Sequence, residues 1–291
     1  MSSMIAIQGF NGDAGASVWW KLKGNVPLTD LHWQWQKQGL PEAWLPELPT
    51  IERRLSRAVR SVTEFRKLAR PVERKGHWCL VDETVQGDGA GATLTHAPVL
   101  TARIVKGVVE YSDPWHPLAS AIAASLTEQE GLLHRDDLAI WLADGVLRDR
   151  LHAVKLRPQG GMYYVLPHRV ETWFKIRASI EHAGAGDCYT LPTIQGEHAT
   201  RAVLDALVHE VTEEAGRYRD QIADGVGKRA LRARVADCDS LLTRIASYES
   251  LLGNALESVR KHVTDVQDAA VVAAYAAEAA AMAAEDAAAG E

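Results

Sequence analysis

From Glu197 onward the chain carries no strand-like alternation, and this long helical stretch constrains the fold more than any other feature. Residues 197–223 and 228–263 each read as helix, with Gly225 and Gly227 breaking the run between them. On the first helix Ala199, Val203 and Leu207 share a flank, with Leu204, Val208 and Val211 beside them. On the second, Leu231, Val235, Leu242, Ile245, Leu252, Leu256 and Val259 recur at steps of mostly three, four or seven, the spacing of a packed seam. An antiparallel helical hairpin over residues 197–263 is therefore expected. Two helices packed only on each other bury a narrow stripe, so this arm should pack further against the body, a second copy or a partner helix. Residues 264–291 hold fourteen alanines and no lysine or arginine, an acidic tail of high helix propensity with little to bury.

The preceding residues mix strand and helix signals, which sets the fold class as α+β. Strand-like runs at residues 4–8 and 17–22 flank a glycine-rich turn with Gly9, Gly12 and Gly15. A phosphate-cradling loop would need a helix to start directly after the glycines, and here the β-type Ser17-Val18-Trp19-Trp20 follows. Thr29 or Asp30 opens a short aromatic helix with Leu31, Trp33 and Trp35. Thr50 is a good N-cap for a helix over residues 51–69, with Ile51, Leu55, Val59, Val62 and Phe65 on one face. Residues 77–85, 92–94 and 100–111 read as an antiparallel meander, and residues 113–126 and 135–151 as helices. Pro158-Gln159-Gly160-Gly161 then supplies turn chemistry for a hairpin of residues 153–157 and 162–166. With Arg157 opposite Met162, Val154, Leu156, Tyr163 and Val165 line one face, while Lys155, Arg157 and Tyr164 point to the other. A helix over 169–182 and a loop over 184–196 complete a body of residues 1–183, followed by the arm (197–263) and the tail (264–291).

Catalytic and metal signatures are missing from the sequence. There is no GxSxG, and the His209/Glu213 pair lacks the second histidine of an HExxH site. Cys79, Cys188 and Cys238 are odd in number and widely spaced, which points to neither a disulfide framework nor structural zinc and fits a reducing, cytoplasmic setting. No cofactor, metal or catalytic residue is assigned. No run is apolar enough to span a membrane, so no membrane partner is expected.

Charge is more informative. The net charge is −6, yet residues 53–75 hold nine lysines and arginines against Glu64 and Glu73. Such a local concentration is the footprint of a polyanion contact, nucleic acid being the natural partner. The alternatives are a solvated helix face or a dock for the acidic tail. On a helix over 51–69, Arg53, Arg57, Arg60 and Lys67 gather opposite the apolar stripe. A helix followed by a hairpin bearing Lys155, Arg157 and Tyr164 also resembles half of a winged helix-turn-helix. Gly145 is the one candidate break between a positioning and a recognition helix, so a plain α+β core is the competing arrangement.

The order of LPELPTIERRLSRAVRSV, the meander and LRPQGGMYYVLP over residues 40–170 resembles an uncharacterised family of bacterial and phage genomes, a resemblance that implies no activity. The reading is a non-enzymatic binding or assembly protein that contacts nucleic acid through its basic helix and a wing-like hairpin, and a protein partner or itself through residues 197–263. A structural coiled-coil assembly factor, and a hydrolase or nuclease with a dispersed site, are the alternatives.

Overall fold

The computed structural model describes residues 14–63, 67–72, 76–86, 93–157, 159–193 and 196–289. The strand expected at residues 4–8, with Gly9 and Gly12, lies outside them. Strand β1 (Ala16–Leu22) and the two-residue β2 (Val26–Pro27) precede helices α1 (Leu28–Lys37) and α2 (Ile51–Ser61). Strands β3 (Lys67–Pro71), β4 (His77–Gln86), β5 (Thr93–Val105) and β6 (Val108–Tyr111) follow. Next come α3 (Pro117–Glu128), β7 (Leu132–Leu133) and α4 (Arg135–Ile140), which runs on as a π-helix over Trp141–Arg148. The chain continues through β8 (Val154–Lys155), β9 (Tyr163–Val165), α5 (Val170–His182) and β10 (Gly186–Pro192). Helices α6 (Glu197–Ala223), α7 (Lys228–Ser247), α8 (Glu249–Leu252) and α9 (Glu257–Ala289) complete it. The mixture is α+β with antiparallel pairing throughout the paired strands.

These elements form two compact units interleaved in sequence. The meander unit comprises Leu22–Ala139 with His182–Ala185. Its sheet has the order β3-β4-β5-β6, and α2 and α3 pack with it. Leu55, Ala58 and Val59 of α2 meet Trp78, Leu80, Leu100 and Ala102 of the sheet and Ala119 and Ile122 of α3 in one buried cluster. Leu55, Val59 and, partly buried, Val62 of the expected apolar stripe face this core, and Phe65 lies outside the described residues. The helix ends at Ser61, however, and not near residue 69. Val62 and Thr63 are β-branched, and the Thr63 hydroxyl donates to the Arg60 carbonyl at 2.7 Å, drawing that acceptor out of the helical ladder. The chain after it joins the sheet as β3, with Lys67 opposite Asp82.

The second unit holds residues 14–21, Ile140–Glu181 and Gly186 onward. Its sheet has the order β10-β1-β9-β8. Strand β10 falls where the sequence reads as loop; its Gly186 and Pro192 ends mask a pairing with β1 that is remote in sequence. The hairpin register is one residue away from the expected one. Val154 pairs with Tyr164 and Lys155 with Tyr163. Because side chains alternate along a strand, a slip of one exchanges the faces, and Tyr164 joins Val154 in the core. Gly15 (φ +76°) makes room for this tyrosine, since a Cβ there would lie 2.6 Å from its hydroxyl.

The helices of this unit form three packed rods, not two. Gly253, at φ +54°, ends α8, so the seam expected to continue through Leu252, Leu256 and Val259 turns back on itself. Helix α9 then lies antiparallel to α7, with Gln267 hydrogen-bonded to Asp239 at 2.5 Å and Glu278 to Lys228 at 2.7 Å, while Arg260 pairs with Glu249 of α8. Val203, Leu207 and Val211 of α6, Cys238, Leu241 and Ile245 of α7, and Val259, Val263 and Val266 of α9 share one core with Val154, Tyr164 and Leu166. The alanine-rich segment buries Val266 and Ala270, so it supplies part of the burial that a two-helix arm lacks.

Candidate functional site

The basic face of α2 is built on an amphipathic helix whose apolar side is fixed by the meander core. Arg53, Arg54, Arg57 and Arg60 fall within eight consecutive positions on its remaining surface. One carboxylate, Asp137 in the first turn of α4, faces two of them. Arg57 Nη2 donates to Asp137 Oδ1 at 2.6 Å and Arg53 Nη1 to the same oxygen at 3.2 Å. The His134 backbone N–H donates to Oδ2 at 3.3 Å. Burial pushes this carboxyl up, but the Arg57 hydrogen bond, the Arg57 charge, the His134 N–H and the Arg53 charge together outweigh it, leaving its pKa below the usual aspartate value. Asp137 is only 8% exposed, so it is a true buried counter-ion.

The other two arginines have no carboxylate partner among the described residues. Arg60 is exposed and lies over the Trp78 ring, 5.5 Å from its centroid. Arg54 has a buried Nε without an acceptor among the described residues. Lys67 is not on the helix with these arginines but on β3, and its side chain lies outside the described part. The structure therefore joins Arg53, Arg57 and Arg60 on one element and separates Lys67 from them. Asp137 was not legible as a partner, because the pairing spans 80 residues of sequence; its place in the first turn of a helix was the one available signal.

The hairpin does not stand out as a wing. Tyr164 is 2% exposed, and its hydroxyl donates to the Ala14 carbonyl at 2.9 Å. Burial raises its pKa to about 12. Tyr163 is also buried and stacks on Trp20 with ring centroids 5.4 Å apart. Strand β9 lies between β1 and β8, which pair both its edges, and all three of its residues are buried. Tyr164 is thus a core residue and not a surface contact. Lys155 is half-buried and Arg157 exposed. Residues 135–148 run from α-helix straight into π-helix, with no turn at Gly145 to separate a positioning helix from a recognition helix.

A cleft of about 510 Å³ opens in the second unit, between the end of the π-helix, residues 149–152, α6 and α7. His152 sits on its wall in the left-handed region (φ +52°), with its carbonyl held by the Tyr248 hydroxyl at 2.8 Å. Its Nδ1 lies 2.6 Å from Ser247 Oγ, which in turn donates to the Thr243 carbonyl at 3.0 Å. Burial lowers the His152 pKa, and the nearby Arg169, Arg244 and His168 charges lower it further. Among the described residues no group of three or more histidine, cysteine, aspartate or glutamate side chains could hold a metal ion, and no helix is long and apolar enough to cross a membrane.

Fold and surface together define a two-unit α+β protein with a basic helix on one unit and a charged cleft in the other. A family model, described as a family of unknown function (DUF6744), matches residues 14–285, and the chain belongs to that family. The match extends the likeness over residues 40–170 to almost the whole chain. No curated protein and no solved structure matches it.

Proposed function

We propose that this chain is a binding protein whose α2 face contacts a polyanion, nucleic acid in the first instance. The supporting observation is the imbalance on α2: four arginines in eight positions, with Asp137 the one carboxylate paired to any of them among the described residues. Arg53 and Arg60 are exposed and can each reach a phosphate, while Arg57 is anchored to Asp137 and orients the row. The reading is tested by fluorescence anisotropy with single-stranded and duplex oligonucleotides at low salt, comparing the native chain with Arg53→Gln/Arg60→Glu. Each lost phosphate contact removes about 0.9 from the slope of log affinity against log salt, so the double variant should lower that slope by roughly 2. No retention by the native chain at 50 mM salt or below, of the kind phosphate contacts sustain, refutes it.

A second reading, association through α9, is favoured by a separate observation. Val272, Tyr275 and Met282 are exposed by 68%, 70% and 62%, and with Ala279 they recur at steps of three and four along one face. Between Asp268 and Met282 the single charged residue is Glu278, which is turned to Lys228 and Arg232. A second copy of the same uncharged stripe is the partner this chemistry fits. Sedimentation velocity over a range of concentrations should show a reversible dimer that Val272→Glu/Tyr275→Glu abolishes; a monomer throughout refutes the association.

A further inference from the structure

The cleft beside α7 has a one-sided deficit of hydrogen-bond acceptors. Arg244 lines it and is 3% exposed. Its Nη2 forms an ion pair with Glu210 Oε2 at 2.6 Å and donates to the Ala153 carbonyl at 3.4 Å. The Nε and Nη1 atoms are buried and find no acceptor among the described residues. Native proteins satisfy roughly 90% or more of such buried groups, and an orphaned charged donor is among the costliest to leave unmet. Arg150, on the same cleft, makes no side-chain hydrogen bond or ion pair among the described residues and is exposed.

The carboxylates of the cleft are in the opposite condition. Asp149 receives Arg148 Nε at 3.3 Å, and Glu214 receives the Tyr218 hydroxyl at 2.9 Å. Asp237 is paired with Arg234 at 3.0 Å, and Asp239 accepts from Gln267 at 2.5 Å. Each acid therefore has a donor, whereas two guanidinium groups retain unused ones. We propose that this cleft binds the oxyanion group of a small molecule, a phosphate or a carboxylate, between Arg244 and Arg150. The guanidinium fork matches either group through paired N–H donors. A volume of about 510 Å³ suits a metabolite-sized ligand. Burial is the first cause of the lowered proton affinity of His152 on the cleft wall; the Arg169, Arg244 and His168 charges add to it and Asp149 opposes it.

The site lies in the helical unit and stands independently of α2. Isothermal titration of the full-length chain with inorganic phosphate and, separately, with citrate tests it. Binding of either supports the site, and the preferred probe tells phosphate from carboxylate. Arg150→Gln, a surface change with no internal partner to disturb, should weaken the preferred anion on the order of tenfold, the worth of one charge-assisted hydrogen bond. Arg244→Lys should weaken it at least as much, since lysine keeps the charge and loses the planar fork. Arg53→Gln/Arg60→Glu should leave this binding unchanged, which separates it from polyanion contact at α2. Failure of both anions to bind at 10 mM, the strength expected of even a weak single-group ligand, overturns the proposal, as does binding that Arg150→Gln and Arg244→Lys leave intact.

Discussion

Replacing Asp137 separates the structural from the functional role of the α2 arginines, because its effects on stability and on binding should have opposite signs. The carboxylate accepts from Arg57 at 2.6 Å, Arg53 at 3.2 Å and the His134 N–H at 3.3 Å. Arg57 is three-quarters buried, its side chain 24% exposed, so its bond should be near the value for a charged pair, about 2 kcal/mol. Arg53 is 57% exposed, and solvent screening reduces its share to about 0.5 kcal/mol. With the backbone bond, Asp137→Ala should cost about 3 kcal/mol, whereas Asp137→Asn keeps an acceptor and should cost about 1.5–2 kcal/mol. Urea unfolding followed by circular dichroism measures both without adding salt. The folded-state pKa is depressed, so the stability this group contributes is fully present above the unfolded aspartate value of 3.8 and is lost as pH falls through the lower folded value; Asp137→Asn should flatten that acid limb. The same substitution frees two guanidinium groups from their counter-ion, so oligonucleotide affinity should rise a few-fold as stability falls. Unchanged stability would refute the energetic argument, and an affinity that falls with stability would show that Asp137 positions the arginines more than it neutralises them.

The remaining expectations concern the second unit. His152 has a pKa below its ordinary 6.5, so the unfolded chain binds more protons in that window, and stability is lost as pH drops from about 6.5 through the folded value. His152→Gln should reduce the loss seen in thermal melts between about pH 7.5 and 5, with His168, which shifts the same way, retaining part of it. Gly15→Ala should destabilise this unit by about 2–3 kcal/mol in urea, because the residue sits at φ +76° and a Cβ would meet both the Tyr164 hydroxyl and the Val165 carbonyl. Deleting residues 264–291 should lower its melting temperature by several degrees, since Val266 and Ala270 leave the core and the Glu278 pairs are lost. An unaltered melt would mean that the segment adds nothing to the bundle.

How far the sequence reveals this fold follows from the range of each interaction. Helix α6 begins and ends at the expected residues, because its signals, a 3.6-residue period and flanking glycines, are local. Strand β4 was visible for the same reason, whereas β5 reads in sequence as two runs, 92–94 and 100–111, because Pro98 resembles a break and the Lys106-Gly107 turn before β6 is short. Strand β10 was hidden, since its partner β1 lies some 170 residues earlier and no turn announces the pairing. The hairpin slip has a related origin: alternation within a two-stranded unit cannot anticipate that both faces of β9 are covered, Tyr164 by the helical core and Tyr163 by Trp20. Helix α9 was underrated because alanine adds little area per residue, although Val266 and Ala270 are buried past residue 263. At the candidate site, the arginine row was legible from charge and period, whereas its anchor Asp137 and the orphaned donors of Arg244 arise from tertiary contacts.

Covalent footprinting of arginines tests the polyanion reading most directly. The full-length chain would be treated with an arginine-selective dicarbonyl, alone and with an excess of oligonucleotide at low salt, and the modified residues located by mass spectrometry. The account predicts that Arg53 and Arg60 react in the free chain, are protected when the oligonucleotide is present, and regain reactivity as salt is raised. Unchanged reactivity at α2, or protection confined to arginines of the helical unit such as Arg201 and Arg229, would contradict it.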